Sequence, residues 1–547
     1  MNPWRIIGLL SGLVGLGAAE LVAGWTGPDS SPLFAVGDAV VDLTPRPVKD
    51  LAITLLGPAD KVVLLGSILV VVTGAAVAVG KVAERSLVRA LLGVVLLGAV
   101  AAIAAVTRPD ASASDLAPSL FGTAVAAVAL VGLARAASRI PVAGHEGASA
   151  EVTPRPAGVE TGTTPLDRPV HDEALADTTT DARVSTYGET VGARRSFLIA
   201  GATVGVLGVG SAVLGRWLSY DRFGAARSRR AVVVPRPDSP AAGLPRDPST
   251  DIPGLSRFQT PNGGFYRVDT ALTVPQVAAE DWELRIHGMV RRPLTLTYRD
   301  LVSRPMIERD ITLACVSNPV GGPYVGNARW IGVPLKGLLA QVGVDAAADQ
   351  VVSRSHDGMT IGTPTAALTD GRDAMLAVAM NGEPLPLEHG FPVRMVVPGL
   401  YGYVSACKWI VEMELTRFDR YDAYWIKQGW AEQAEVKTAS RIDTPHDGGQ
   451  RKPGIVTVAG VAWAQHRGIE RVEIQVDDGE WQTAELAEPS TIDTWRQWLY
   501  RWRAEPGEHT LRVRATDRDG NRQPSNEQKP FPDGATGWHQ VQVTVEE

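Results

Sequence analysis

The apolar positions of this chain fall into two regimes. Through residue 215 they form long unbroken runs; beyond it they come in short stretches divided by turn residues. Five runs, at residues 5–25, 62–80, 87–106, 119–137 and 197–214, are each long enough to cross a bilayer core of roughly 30 Å, which takes about 20 helical residues. They are apolar all round, a pattern that buried helices of water-soluble proteins rarely keep over this length. The first run is too long for a signal-peptide core, and no small-residue cleavage site follows it. Glu20 is the one acid within a span, and near a helix end it is expected to reach interfacial water.

Basic residues set the orientation. Arg5 precedes the first span, Lys81, Arg85 and Arg89 separate the second from the third, and Arg135 and Arg139 follow the fourth. The positive-inside rule places these on the cytoplasmic face, with the loops 26–60 and 107–118 outside. Four spans then return the chain to the cytoplasm. Residues 138–193, rich in Thr, Pro, Asp and Glu, read as a disordered linker. It ends in Arg194-Arg195-Ser196-Phe197-Leu198, which has the form of a twin-arginine export signal directly before the fifth span. Everything after residue 214 is thereby expected outside the cytoplasm.

Periods shorten in the second regime. A Pro/Arg/Ser-rich stretch to about 257 reads as a tether. From 258 to about 445, strand signals at 282–286, 295–297, 393–397 and 409–415 alternate with helical ones such as 335–342, giving an α+β domain with much loop. From 450 to 547, apolar strands at 454–463, 469–476 and 510–516, parted by turns such as Asp477-Asp478-Gly479, predict an immunoglobulin-like β-sandwich. The predicted order is therefore an all-α transmembrane bundle (1–137), linker (138–193), export motif and fifth helix (194–216), tether (217–257), α+β domain and β-sandwich.

Composition narrows the chemistry. At 547 residues several domains are required, and a net charge of -7 without a basic block argues against nucleic acid. Two cysteines, Cys315 and Cys407, exclude a disulfide scaffold and a CxxC zinc site. All nine histidines lie outside the spans, so axial ligation of haem b within the bundle is not expected.

The candidate chemistry centres on Cys315. The run Ile311-Thr312-Leu313-Ala314 reads as a buried strand that delivers the thiol onto Val316-Ser317-Asn318-Pro319 and Gly321-Gly322-Pro323. A thiolate there suits a soft metal or nucleophilic chemistry. Around it stand Thr260-Pro261-Asn262-Gly263-Gly264-Phe265-Tyr266-Arg267, then Asn381-Gly382-Glu383-Pro384-Leu385-Pro386 leading to His389-Gly390-Phe391-Pro392-Val393-Arg394, and last Tyr401-Gly402-Tyr403-Val404-Ser405-Ala406-Cys407-Lys408-Trp409. Taken singly these are weak. His389 alone reads as a turn residue, Arg394 and Lys408 as paired surface charges, Trp330 as core, and Cys315 as an inert buried thiol.

Together, in this order around one cysteine, they resemble the sulfite oxidase family of molybdopterin enzymes over about 258–547. That resemblance implies a molybdenum–molybdopterin cofactor with Cys315 as metal ligand and catalytic centre. It makes Tyr266, Arg267, Asp357, His389, Arg394, Ser405 and Lys408 cofactor contacts, Arg394 and Lys408 suiting the phosphate. It also implies oxygen-atom or electron transfer on a small molecule, a separate electron partner such as a cytochrome or quinone system, and a C-terminal domain that mediates dimers. The chain departs from sulfite oxidases proper, where a Gly-Asn-Arg-Arg sequence follows the cysteine and an Arg-Asn-His ending closes the first loop. Here Asn318 is followed by Pro319, and Arg267 by Val268-Asp269-Thr270. The Phe265-Tyr266 ending and Val316 after the cysteine are similar to the family's bacterial sulfoxide-reducing branch, and the sequence leaves sulfite-like and sulfoxide-like substrates open. Competing readings are a non-catalytic envelope scaffold and a transporter or sensor whose spans do the work. The intact cysteine and cations weigh against the first, the scarcity of charge within the spans against the second.

Overall fold

A computed structural model describes residues 2–27, 30–45, 48, 60–108, 111–138, 198–219 and 224–546. The expected linker and the Arg194-Arg195 motif lie outside the described residues. The chain divides into two compact units.

The first unit is helical: α1 (Pro3–Thr26), α2 (Pro32–Leu43), α3 (Asp60–Ala83), α4 (Leu87–Val106), α5 (Leu116–Ser138) and α6 (Leu198–Ser219). All but α2 are long and apolar enough to span a membrane. Small residues on α1 let backbones approach closely. Gly8 meets Gly80, Gly15 meets Gly122, and a Cβ on Gly17 would fall 2.1 Å from the Gly208 carbonyl oxygen. Association in lipid rests on such contacts, because apolar burial gives no drive between helices there. Two expectations need correction. Residues 32–43 are not loop; they form α2, a helix too short to span and therefore invisible to a search for 20-residue runs. Glu20 does not reach water: it is buried, accepts a hydrogen bond from Ser31 Oγ and lies 3.8 Å from Arg216 Nη1 on α6. A carboxylate at that depth is offset by a hydroxyl and a counter-charge instead of solvent.

The second unit holds the rest. One sheet runs β2 (Leu294–Thr297), β1 (Glu283–Gly288), β10 (Ile410–Thr416), β5 (Gln350–Ser355), β6 (Thr360–Pro364), with β1 and β10 parallel. A second runs β3 (Ile307–Ala314), β4 (Val325–Pro334), β7 (Met375–Met380), β8 (Glu383–Pro384), with β9 (Arg394–Val396) also on β7. The wholly buried β7, Met-Leu-Ala-Val-Ala-Met, lies at its centre. A β region follows: β11 (Ala439–Thr444), β13 (Gly454–Trp463), β17 (Arg496–Ala504) and β16 (Glu485–Leu486) form one sheet. β12 (Gly449–Arg451), β19 (His539–Val545), β18 (Gly507–Asp517), β14 (Ile469–Val476) and β15 (Gln482–Thr483) form the other. Trp498, Val472, Leu511 and Val543 fill its core, whereas Trp463 and Trp495 pack into the core of the preceding sheets.

Residues 224–257, expected as a tether, run along this unit. Ser228 Oγ donates to Glu280 (2.5 Å), Arg229 donates to the Leu385 carbonyl (2.8 Å), and Asp247 accepts from Gln497 Nε2 (2.7 Å) and the Phe258 amide (2.8 Å). Past the short helix Ala226–Ala231, prolines keep the strap extended, leaving its remaining polar groups to bond outward.

Candidate active site

Cys315 follows β3 directly. Its amide donates to the Tyr324 carbonyl (2.9 Å), and the Asn318 side chain accepts from the Tyr324 amide (2.8 Å), so the Gly/Pro loop closes on itself. The thiol is partly buried, 3.0 Å from Ser317 Oγ, and burial pushes its pKa up.

The first loop is pinned from beneath. Phe265 sits edge-on to Trp330 (5.9 Å) and to His389 (5.6 Å), and Gly326 on β4 makes room for it, since a Cβ there would lie 2.8 Å from its ring. Tyr266 stacks on Phe265 (5.3 Å) and faces Tyr324 (6.5 Å). Burial, then the neighbouring Cys315, pushes the Tyr266 phenol up. Asn381 holds the loop from the other side: its Nδ2 donates to the Thr260 carbonyl and to Asn262 Oδ1, both at 2.9 Å.

The His-Gly-Phe-Pro-Val-Arg segment brings the cations in. His389 is buried, with Nε2 3.0 Å from the Asn262 carbonyl oxygen, and a carbonyl only accepts, so Nε2 carries the proton. Burial, reinforced by Arg394, lowers its pKa to about 4, which leaves the ring neutral at pH 7. Arg394 is 5% exposed. It donates to the His389 carbonyl (3.1 Å), its guanidinium lies 5.0 Å from the Trp330 ring centroid, and its Nε is buried without a partner. Burial lowers its pKa to about 10. Gly390, at φ +106°, lets these groups converge, because a Cβ there would lie 3.0 Å from that of Arg394 and 3.1 Å from that of Lys408.

Lys408 Nζ bonds Asp269 (2.8 Å) and lies 4.5 Å from the Trp409 ring centroid. Burial lowers its pKa to about 8 despite Asp269. Arg267 contacts the same carboxylate (2.6 Å) and is exposed. Asp269 was not singled out from sequence, although it stands only two residues after Arg267. Nothing in its neighbours' pattern shows that a residue 139 positions away shares it.

The predicted residues are thus not equivalent. Tyr266 lies close enough to feel the charge of both Cys315 and Arg394, and His389 and Lys408 adjoin Arg394. Asp357 occupies the β5–β6 turn, where its carboxylate accepts from the Met359 amide (3.4 Å), and its charge acts on Cys407. Ser405 is fully buried and spends its proton on the Leu400 and Tyr401 carbonyls, closing a short helix, so its oxygen retains only acceptor capacity. Cys407 is a buried free thiol, and Trp330 is core, lying under Arg394 and donating to the Ile311 carbonyl (3.1 Å).

The donor set fits a phosphate-bearing group with a metal at its far end. Among the described residues no ion pair engages Arg394, and its unpartnered Nε asks for an anion. Asn262, His389 and Asp357 add donors and acceptors suited to a heterocycle, and Cys315 supplies a soft ligand.

Comparison with known proteins agrees. The family described as Oxidoreductase molybdopterin binding domain matches residues 271–425. Sulfite oxidase of Gallus gallus is 30% identical over 319 residues, 49% of this chain and 69% of that one. Homo sapiens mitochondrial sulfite oxidase is 29% identical over 53% of this chain and 62% of its own length. An uncharacterized oxidoreductase of Bacillus subtilis, YuiH, is 33% identical over 27% of this chain and 72% of its own. Among solved structures, the sulfane dehydrogenase SoxCD of Paracoccus pantotrophus aligns over 53% of this chain and 84% of its own with a TM-score of 0.46 and 23% identity. The family match and the sulfite oxidase relatives show a molybdenum-dependent oxidoreductase. The chain belongs to the sulfite oxidase family, and its cofactor is molybdenum–molybdopterin.

Proposed function

We propose that this protein is a membrane-anchored, extracytoplasmic oxidoreductase that takes an oxygen atom from a small neutral donor of the sulfoxide type. The observation that carries the choice of substrate is the state of the cations. Arg267 and Lys408 share Asp269, Arg394 faces the space assigned to the cofactor phosphate, and the loop after Cys315 carries no Lys or Arg through Asn327. A sulfite dianion entering beside Cys315 finds no bidentate partner to offset its desolvation, whereas a neutral sulfoxide needs none.

In this reading Cys315 ligates the metal, Arg394 and Lys408 hold the phosphate, and His389, neutral with its Nε2–H held by the Asn262 carbonyl, offers Nδ1 as an acceptor. Tyr266 and Tyr324 wall the opening. The bound molybdenum supplies the open coordination position at which oxygen moves. Basic residues place both the four-span bundle's termini and the start of the fifth span in the cytoplasm, Arg194-Arg195 act as an export signal, and the catalytic unit folds around its cofactor before crossing. The C-terminal β region takes the immunoglobulin-like form and offers a face for a homodimer, and electrons pass to or from a separate cytochrome or quinone partner.

A substrate screen tests the substrate class by following the oxidation state of molybdenum in purified protein. Sulfoxides are expected to oxidise the reduced centre, with sulfite leaving the oxidised centre untouched. Rapid reduction by sulfite would contradict the assignment. Metal-free folded protein from a host competent in cofactor synthesis would favour the scaffold reading instead.

A further inference from the structure

We propose that Arg441 and His539, both in the C-terminal β region, are positioning residues for Cys315. This inference rests on the reading of Cys315 as the metal ligand. The cysteine loop is held by more than its own hydrogen bonds. Arg441, on β11, donates Nη1 to the Gly322 carbonyl at 2.8 Å. The same guanidinium is fixed by Asp443 (2.6 Å) and by Ser256 Oγ (3.0 Å), and its side chain is 12% exposed. His539, at the start of β19, packs against the loop: a Cβ on Gly321, which sits at φ +72°, would lie 2.0 Å from the His539 Cδ2. The ring is itself oriented, because Nδ1 accepts from the Ile442 amide at 3.0 Å.

The strand before the cysteine is gripped as well. The Thr312 amide donates to the Asp493 carbonyl (2.9 Å), its hydroxyl accepts from the Trp495 amide (2.7 Å), and its carbonyl accepts from Gln465 Nε2 (3.1 Å). Cys315 is therefore held on both sides by residues far along the chain. A Gly/Pro loop has little side-chain packing of its own, so external hydrogen bonds decide which way its thiol points. Arg441 suits this role because a buried guanidinium bound to a carboxylate is rigid, and its Nη1 is aimed at the Gly322 carbonyl.

The test uses the full-length chain in detergent, produced without the pterin, and follows alkylation of its two cysteines by mass spectrometry. Cys407, fully buried, reports global loosening. In Arg441→Gln, Cys315 is expected to react about tenfold faster, the change that follows loss of one charge-assisted hydrogen bond, while Cys407 keeps its rate. Arg441→Lys should fall between, since an ammonium reaches one partner but cannot fork. His539→Ala should raise the Cys315 rate alone. An unchanged Cys315 rate in both Arg441→Gln and His539→Ala overturns the proposal, and so does a rise that Cys407 shares. Because these rates need no metal, they stand apart from the assignment of Cys315 as ligand. The loaded protein tests that link: Arg441→Gln should shift the Mo(V) electron paramagnetic resonance signal at unchanged molybdenum content. An identical signal overturns the link.

Discussion

Replacing Arg394 by Met separates stability from cofactor binding: loading should fall steeply while stability changes little. The guanidinium is 5% exposed, has no ion-pair partner among the described residues, and burial lowers its pKa to about 10. That displacement corresponds to roughly 3 kcal/mol of burial cost, at about 1.4 kcal/mol per pH unit. Met removes the charge at similar length and gives up one hydrogen bond to the His389 carbonyl, worth about 1.5–3 kcal/mol because its donor is charged. It also gives up a cation–π contact with Trp330 of about 1–2 kcal/mol. The cofactor-free variant should therefore stay within about 2 kcal/mol of the parent, because the relieved burial cost offsets most of the lost contacts. Loading should fall at least tenfold, since hydrogen bonds to charged groups contribute about 1.5–3 kcal/mol each. Denaturant unfolding of cofactor-free protein, together with molybdenum per chain by plasma mass spectrometry, reads both quantities. A loss of about 3–5 kcal/mol in the cofactor-free state, the signature of a broken buried ion pair, would refute the reasoning. Undiminished loading would refute it equally.

Two further substitutions probe the same architecture. Gly390→Ala places a side chain at φ +106° and within 3.0–3.1 Å of the Arg394 and Lys408 Cβ atoms. It should cost about 2–4 kcal/mol by thermal or denaturant unfolding and reduce molybdenum content, the strain and the crowding each contributing; an unaltered midpoint would show that the convergence is loose. His466 pairs with Asp493 at 3.2 Å, and this bond raises its pKa. A histidine with a raised folded pKa gives stability that is complete below its unfolded value, about 6.5. That stability vanishes as pH rises through the folded value. The parent should lose this increment as pH rises above 6.5 and His466→Gln should not, as comparison of unfolding midpoints on either side of that value reports. Parallel profiles would remove the pair from the account.

The sequence was most legible where a single period or a run of distinctive residues carried the signal. The strands Gly454–Trp463 and Ile469–Val476 and the helix Leu335–Val342 fall where their patterns put them. The long spans do so within a few residues, except the fifth, which runs on to Ser219. The short helix Pro32–Leu43 was missed because 12 residues cannot span and its neighbours resemble loop. In the site, Cys315, His389, Arg394 and Lys408 stood out through motif order. Asp269 did not, because its meaning comes from Lys408, and a carboxylate's partner across 139 residues leaves no local trace. The same holds for Glu20 and Arg216, and for Arg441 against Gly322: each residue looks ordinary until the fold sets its counterpart beside it. Ser405 shows the converse. Its motif singled it out, yet its hydroxyl proton caps backbone carbonyls.

X-ray absorption at the molybdenum edge, on the purified full-length chain and on Cys315→Ala, tests the central claim most directly. The account predicts a molybdenum centre with sulfur neighbours in the parent and one sulfur fewer in the variant. The same sulfur count in both, or a parent without molybdenum, would contradict it.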